Sequence, residues 1–230
     1  MRRPLPPTLA ACLALILAAA PAPGEEGFAP LFPDEGAPKG WLVRAWDDLG
    51  NEAGPDSEWT VKDGVLRAGD RRGTWLVSEK QYDDFVLEFE IKLTERGNSG
   101  VALRTPLDGD PAFEAMEMQI ADLRYNPGAT EAELTGAIYR ALAPAEQVYR
   151  PTEWNSCRIE LKGSHLKVTF NDRVIQDVDL AAQVRPTRRH DGSEAPPLKD
   201  RPHSGHIGFQ HLSRDNEPIF IRNARIKPLR

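Results

Sequence analysis

The stretch Glu114-Ala115-Met116-Glu117-Met118-Gln119-Ile120-Ala121-Asp122 holds the residues best spaced for chemistry. Side chains alternate between the two faces of a β-strand. Met116, Met118 and Ile120 then share the core side, and Glu117 and Gln119 project side by side from the other. An acid and an amide standing over a groove can move a proton and hold a polar ligand. The same alternation suits two polar residues on a solvated sheet face, and spacing alone leaves both readings open. Asn98-Ser99-Gly100-Val101-Ala102-Leu103-Arg104 precedes this stretch. Val101 and Leu103 fit the core, which places Ala102 and Arg104 opposite and brings Arg104 beside Glu117. That proximity suits a site, and equally an exposed ion pair of small energetic weight. In Gly205-His206-Ile207-Gly208-Phe209-Gln210, the apolar residues point inward and His206, Gly208 and Gln210 share the outer face.

Other chemistries lack their signatures. The chain has no G-x-S-x-G nucleophile elbow, no H-E-x-x-H helix, no Walker A loop and no G-x-G-x-x-G turn. Cys157 lies in the strand-like run Trp154-Asn155-Ser156-Cys157-Arg158 and reads as a packing residue rather than a nucleophile. Four of the five histidines, His190, His203, His206 and His211, fall in one late segment, but their spacing matches no structural metal site. The net charge of −6 is not interrupted by a long basic run, so nucleic acid is not an expected partner. Two cysteines exclude a disulfide framework and a cysteine-based zinc ribbon.

The elements that must carry these residues are strands. From Asp83 to Leu93, Phe85, Leu87, Phe89, Ile91 and Leu93 alternate with Val86, Glu88, Glu90 and Lys92. Asp63-Gly64 is a favoured two-residue hairpin turn inside Trp59–Leu66. Gly163-Ser164 and Asn171-Asp172 divide 159–178 into a three-stranded meander. Gly205–Gln210 and Ile219–Ile226 supply late strands. The 18 glycines and 20 prolines suit many turns and argue against a helical bundle. At least ten short strands predict a two-sheet antiparallel sandwich. Local signals favour one exception. Thr130-Glu131-Ala132-Glu133 is a capping-box pattern followed by apolar residues at helical spacing, which predicts a helix over 131–142. The Pro-rich run 181–204 has no periodicity and reads either as a surface excursion or as a loop bordering a cleft. Residues 1–22 read as a secretory signal peptide: Arg2 and Arg3, then the apolar run Thr8–Ala20, too short to span a bilayer. Residues 23–230 are then a single domain with no membrane span, exported to the periplasm or the extracellular space. Loss of Arg2 and Arg3 takes the net charge from −6 to −8.

An ordered series of fragments resembles the 3-keto-disaccharide hydrolase domain family, once catalogued as a domain of unknown function. The series runs Phe28-Ala29-Pro30-Leu31-Phe32, Lys39-Gly40-Trp41, Trp59-x-Val61-x-Asp63-Gly64-Val65-Leu66, Trp75-Leu76, Tyr82-x-Asp84-Phe85 and Asn98-Ser99-Gly100. It continues with Glu117-x-Gln119-Ile120-x-Asp122, Gly136-Ala137-Ile138-Tyr139, Glu153-Trp154-Asn155, Gly208-Phe209-Gln210 and Arg222-Asn223. The resemblance implies a concanavalin A-like jelly roll with a concave sugar-binding face, in which Gly136–Tyr139 is a strand rather than part of a helix.

It also implies a reaction. Relatives act on glycosides whose C3 hydroxyl is oxidised to a ketone; C2 is deprotonated, the C1 substituent is eliminated and water adds back. By this resemblance Glu117 is the expected base, and Arg104 or a bound divalent cation the expected partner of the C3 oxyanion. Gln119, Tyr139, Gln210 and Asn98 are expected to bind substrate. No motif demands a cofactor; the resemblance admits one divalent metal ion, with Asp122 and Glu117 as candidate ligands, while Asp122 equally suits a second acid or a residue that closes a turn. Relatives often carry His or Lys just before the Gly-Ala-Ile-Tyr strand, where this chain has Leu134 and Thr135. They often read Gln-Asp-His-Gly after the late strand, where this chain has Gln210-His211-Leu212-Ser213. His211 is therefore the expected proton donor, from a shifted position, unless that acid is absent. The expected partner is an oxidised (3-keto) glycoside or another carbohydrate. A non-catalytic, lectin-like module is the alternative. An endoglucanase would need a second carboxylate where Gln119 stands.

Overall fold

A computed structural model describes residues 26–229. The expected signal peptide lies outside the described residues. The strands are β1 (Ala29–Pro30), β2 (Trp41–Ala45), β3 (Thr60–Lys62), β4 (Val65–Arg67), β5 (Thr74–Tyr82), β6 (Phe85–Lys92), β7 (Asn98–Thr105) and β8 (Met116–Ala121). After them come β9 (Asn155–Lys162), β10 (His165–Phe170), β11 (Arg173–Asp179), β12 (Thr187–Arg188), β13 (Glu194–Ala195), β14 (Gly205–His211) and β15 (Phe220–Pro228). The single α-helix described, α1 (Pro111–Glu114), is one turn long. No described helix is long and apolar enough to cross a membrane.

Two antiparallel sheets form the sandwich. One runs β11-β10-β9-β6-β15-β4-β3, with β1 also on β15; the other runs β2-β5-β14-β7-β8. The turns expected from sequence close these ladders. Asp63 and Gly64 have φ of 52° and 71°, and Asn171 and Asp172 have 47° and 64°, the doubly left-handed turns that match the twist of a hairpin. β6 buries Phe85, Leu87, Phe89 and Ile91 against Val101, Leu103, Met118 and Phe209 of the opposite sheet. Its other face carries Glu88 and Glu90, which pair with Arg158, Arg222 and Arg225 of neighbouring strands. Cys157 is free and buried, as its strand position requires.

The two sheets differ in how their outer faces are treated. On β9 and β10 burial alternates, but β7, β8 and β14 are buried along their whole length. Those three neighbours have the hydrophobic core on one side and loops folded over the other. The polar residues on their outer face are therefore buried polar residues, the informative kind.

The segment 131–142 is not the predicted helix. The capping box is real, but it closes only a short 3-10 turn, Glu131–Glu133. The chain then runs antiparallel along the edge of β8: Gln119 N–H donates to the Ala137 carbonyl, and Tyr139 N–H to that of Glu117. Unsatisfied edge groups of β8 outweigh the local helical spacing. The run 181–204 is ordered as a wall rather than a surface excursion. β12 pairs with β13, and buried Arg201 ties the segment to α1 through the carbonyls of Ala112 and Ala115 and to Thr187 Oγ1.

Candidate functional site

A cleft of about 780 Å³ lies on the outer face of β14, β7 and β8. Its floor follows from strand register. Gly208, Ala102 and Glu117 form one cross-strand row, and Gly100 pairs with Gln119 in the next. Glu117, Gln119, Gln210 and Asn98 all line the cleft. The polar pair read from the strand pattern therefore faces a covered groove, not bulk water.

Glu117 is the electrostatic centre. It is 3% exposed, and its Oε1 has no hydrogen-bond partner. Burial pushes its pKa well above the usual carboxylate range, and the charge of Asp110 adds to the shift. Asn98 Oδ1 and Gln210 Oε1 are also buried without partners. Three orphaned acceptors lining one cleft are costly in the empty protein and are satisfied by a ligand rich in O–H donors, which is the chemistry of a sugar. Gln119 differs: its Oε1 accepts from Ile120 N–H at 2.7 Å, which leaves its Nε2 hydrogens as its free donors.

Gly100 makes the arrangement possible. A Cβ there would come within 1.9 Å of Glu117 Oε1 and 2.7 Å of its carboxyl carbon. We expect Gly100→Ala to displace the Glu117 carboxylate and lower turnover by at least tenfold while the fold survives, since the clash falls on a side-chain end. Steady-state kinetics beside a thermal melt checks this; unchanged kcat would show that the carboxylate is free to sit elsewhere.

Two walls complete the site. α1 begins at Asp110, whose Oδ1 accepts from Ala112 N–H. Burial pushes Asp110 up to about 6, against the lowering effects of that N–H and of Arg189. Tyr139 stands on the segment beside β8; burial pushes its hydroxyl to about 12, so it stays a neutral donor. His190, from the β12–β13 turn, packs its ring on Phe113 and Tyr139 at 5.4 and 5.9 Å. Desolvation and the Arg140 charge lower its pKa, so it is neutral at neutral pH. The spacing of the late histidines carried no sign of this placement. Asp110 was missed entirely: Asp before Pro reads as a helix start and gives no hint of a cleft.

Three expectations need correction. Arg104 does not stand beside Glu117. Leu103 and Arg104 together oppose the single residue Ile207, a β-bulge in which Arg104 has φ of 54°. The bulge turns its side chain away to Asp84 at 2.9 Å and to the carbonyls of Asp83 and Gly163. Buried to 1% exposure, it ties two turns together and does not reach the cleft. His211 lies on the core side of β14, in phase with Ile207 and Phe209. It is fully buried, its Nε2 is within hydrogen-bond distance of the Glu217 carbonyl, and it is not a cleft residue. Asp122 does line the cleft, but Arg124 holds its Oδ2 from Nε at 2.9 Å and Nη2 at 2.7 Å. It is committed as a turn-closing ion pair and does not fit as a metal ligand beside Glu117. Among the described residues no group of three His, Cys, Asp or Glu is placed to hold a metal ion.

The profile of the 3-keto-alpha-glucoside-1,2-lyase-like domain matches residues 27–227. A 3-keto-disaccharide hydrolase from Bacteroides thetaiotaomicron is 24% identical over 222 residues, covering 83% of this chain and 76% of that protein. A crystal structure from Parabacteroides distasonis, assigned as a glycosyl hydrolase, superposes with a TM-score of 0.70 at 28% identity, over 88% of this chain and 99% of the other. A Zobellia galactanivorans structure in complex with laminaritriose and laminaritetraose shares the fold at 13% identity and a TM-score of 0.50, over 86% and 96% of the two chains.

Proposed function

This chain belongs to the 3-keto-alpha-glucoside-1,2-lyase-like domain family, and from that premise we propose that it cleaves 3-keto-glycosides by elimination at C1–C2 followed by rehydration. The observation that carries the reading is Glu117: a buried, unpartnered carboxyl on the floor of a cleft, next to further unsatisfied acceptors.

The electrostatics support opposite roles for the two carboxyls. Burial pushes Glu117 well above the usual carboxylate range, which favours its protonated form; Asp110, pushed up to about 6, is mostly ionised at neutral pH. Groups whose environments push their pKa values apart divide acid from base. Glu117, expected from the resemblance as base, is thus assigned as acid. Asp110 takes the C2 proton, which the C3 ketone acidifies. The C2–H electrons form the enolate, with the negative charge on the C3 oxygen. Gln119 Nε2 and the Tyr139 hydroxyl supply donors to that oxygen. The enolate then re-forms the ketone, expels the C1 substituent, and Glu117 gives its proton to the departing oxygen. In rehydration the roles reverse: Glu117 takes a proton from water as it adds to C1, Asp110 returns its proton to C2, and both groups are reset. No metal is used in any step.

The test is a 3-keto-glucoside with a chromogenic aglycone, beside its unoxidised parent, each with and without chelator. Release of aglycone from the ketone alone is the expected result. Cleavage of the parent at a similar rate would overturn the elimination route. A second reading, a non-catalytic sugar-binding module, is favoured by Trp46, which lines the cleft and is 37% exposed, as a stacking platform would be. Saturable binding with no release from either compound would establish that reading instead.

A further inference from the structure

The cleft carries charged groups of both signs. Glu117, Asp110, Tyr139 and His190 line the cleft, and so do Arg71, Arg72 and Arg214, of which Arg72 and Arg214 meet at Tyr125. Arg72 Nη2 reaches the Tyr125 hydroxyl at 3.4 Å and the Leu212 carbonyl at 2.9 Å. Arg214 lies over the Tyr125 ring at 5.0 Å, and its Nε donates to the Tyr125 carbonyl. Tyr125 is thus gripped by two guanidinium groups.

Ten of the eighteen described arginines have a carboxylate partner, and these three are among the eight that do not. Among the described residues no carboxylate comes within ion-pair distance of Arg71, Arg72 or Arg214. The acids nearby in the chain or the cleft are engaged elsewhere or too far away. Asp122 is held by Arg124, and Asp215 by Arg96. Glu217 accepts from Thr94 and the Arg96 N–H. Asp47 and Glu52 line the cleft beyond 4 Å from all three guanidinium groups. In a chain of net charge −6, three guanidinium groups lining one cleft without a carboxylate partner favour a negatively charged ligand.

We propose that these arginines bind a negatively charged substituent, a carboxylate or a sulfate, on the group attached at C1 of the sugar. The inference rests on reading the cleft as a glycoside site and names the substrate class within it. Arg72 and Arg214, held by Tyr125, offer planar donors suited to a two-oxygen anion. Arg71, which also lines the cleft and donates its Nη1 to the Pro55 carbonyl, adds a third positive charge. Exposed pairs of this kind contribute little singly, and three together give about a five- to twentyfold preference.

The experiment uses matched glucosides whose aromatic aglycone carries a carboxylate, its neutral carboxamide or a sulfate ester. Equilibrium binding is measured on the unoxidised forms and turnover on the 3-keto forms. Binding of the carboxylate five- to twentyfold tighter than the carboxamide is expected, with the ratio falling toward one in 0.5 M salt and in Arg71→Gln/Arg214→Gln. That pair spares Arg72 and its contact with the Leu212 carbonyl. The carboxylate and sulfate arms tell which anion the arginines prefer. Equal binding of charged and neutral forms, or a ratio that survives both salt and the double substitution, overturns the proposal. Absence of turnover on any ketone would instead strike the elimination chemistry and leave the binding ratio to decide the role of the arginines.

Discussion

Glu117→Gln is expected to lower kcat on a 3-keto-disaccharide by about 10²- to 10⁴-fold, the usual contribution of a positioned proton donor. The leaving group gives the sharper readout. A sugar alkoxide needs a proton as it departs, whereas a nitrophenolate does not. The loss is therefore expected to shrink on a 3-keto-nitrophenyl glucoside. If Glu117 took the C2 proton instead, the loss would be the same for every leaving group, and that outcome would reverse the assignment. Stability supplies a test independent of turnover. Burial raises Glu117 above its ordinary value near 4.5 in the folded state alone. Above that value the folded protein retains a proton that the unfolded chain has released, so stability falls as pH rises toward the raised pKa. Glutamine has no proton to lose. The variant is expected to melt above wild type at pH 8, with the gap closing by pH 5. A gap that does not depend on pH would mean that Glu117 is partnered and ionised in the folded protein.

Asp110→Asn is expected to cost at least as much and to do so evenly across leaving groups, because the C2 proton must be removed whatever departs. Asparagine caps a helix as well as aspartate does, so α1 and the wall it anchors are expected to persist. The pH dependence follows from the sign of the shift. Asp110 must be ionised to act, so kcat/KM of wild type is expected to rise through about pH 6. It then falls on the alkaline side as Glu117 loses its proton. The charges that set Asp110 are Arg189, which lowers it, and Glu114 and Asp47, which raise it. In Asp110→Asn the acid limb should vanish from the residual activity. An acid limb that persists would assign it to another group and remove Asp110 from the mechanism.

The correction at Arg104 and the recruitment of His190 share a cause. Both concern where a side chain is sent by contacts distant in sequence. Alternation along 98–104 is sound as far as Leu103, and fails at Arg104 because β14 sets one residue against two of β7. No pattern within β7 reports that register. The local helical signal at 131–142 failed for a similar reason: its backbone found the open edge of β8, and a strand-like path satisfied more hydrogen bonds than a helix on the surface would.

By itself the sequence determined the strands, the hairpin turns, the face of each strand that enters the core, and the pairing of Glu117 with Gln119 on one side of β8. All of these rest on interactions between near neighbours and on the two-residue period of a strand, which are written locally. Only the tertiary structure decided that this side of β8 is roofed, and therefore that Glu117 is buried with its pKa raised. It also decided that Asp110 lines the same cleft, and that Arg72 and Arg214, from two loops, meet at Tyr125. Burial, register and long-range juxtaposition depend on how the sheets and loops pack over one another, and no window of the chain contains them.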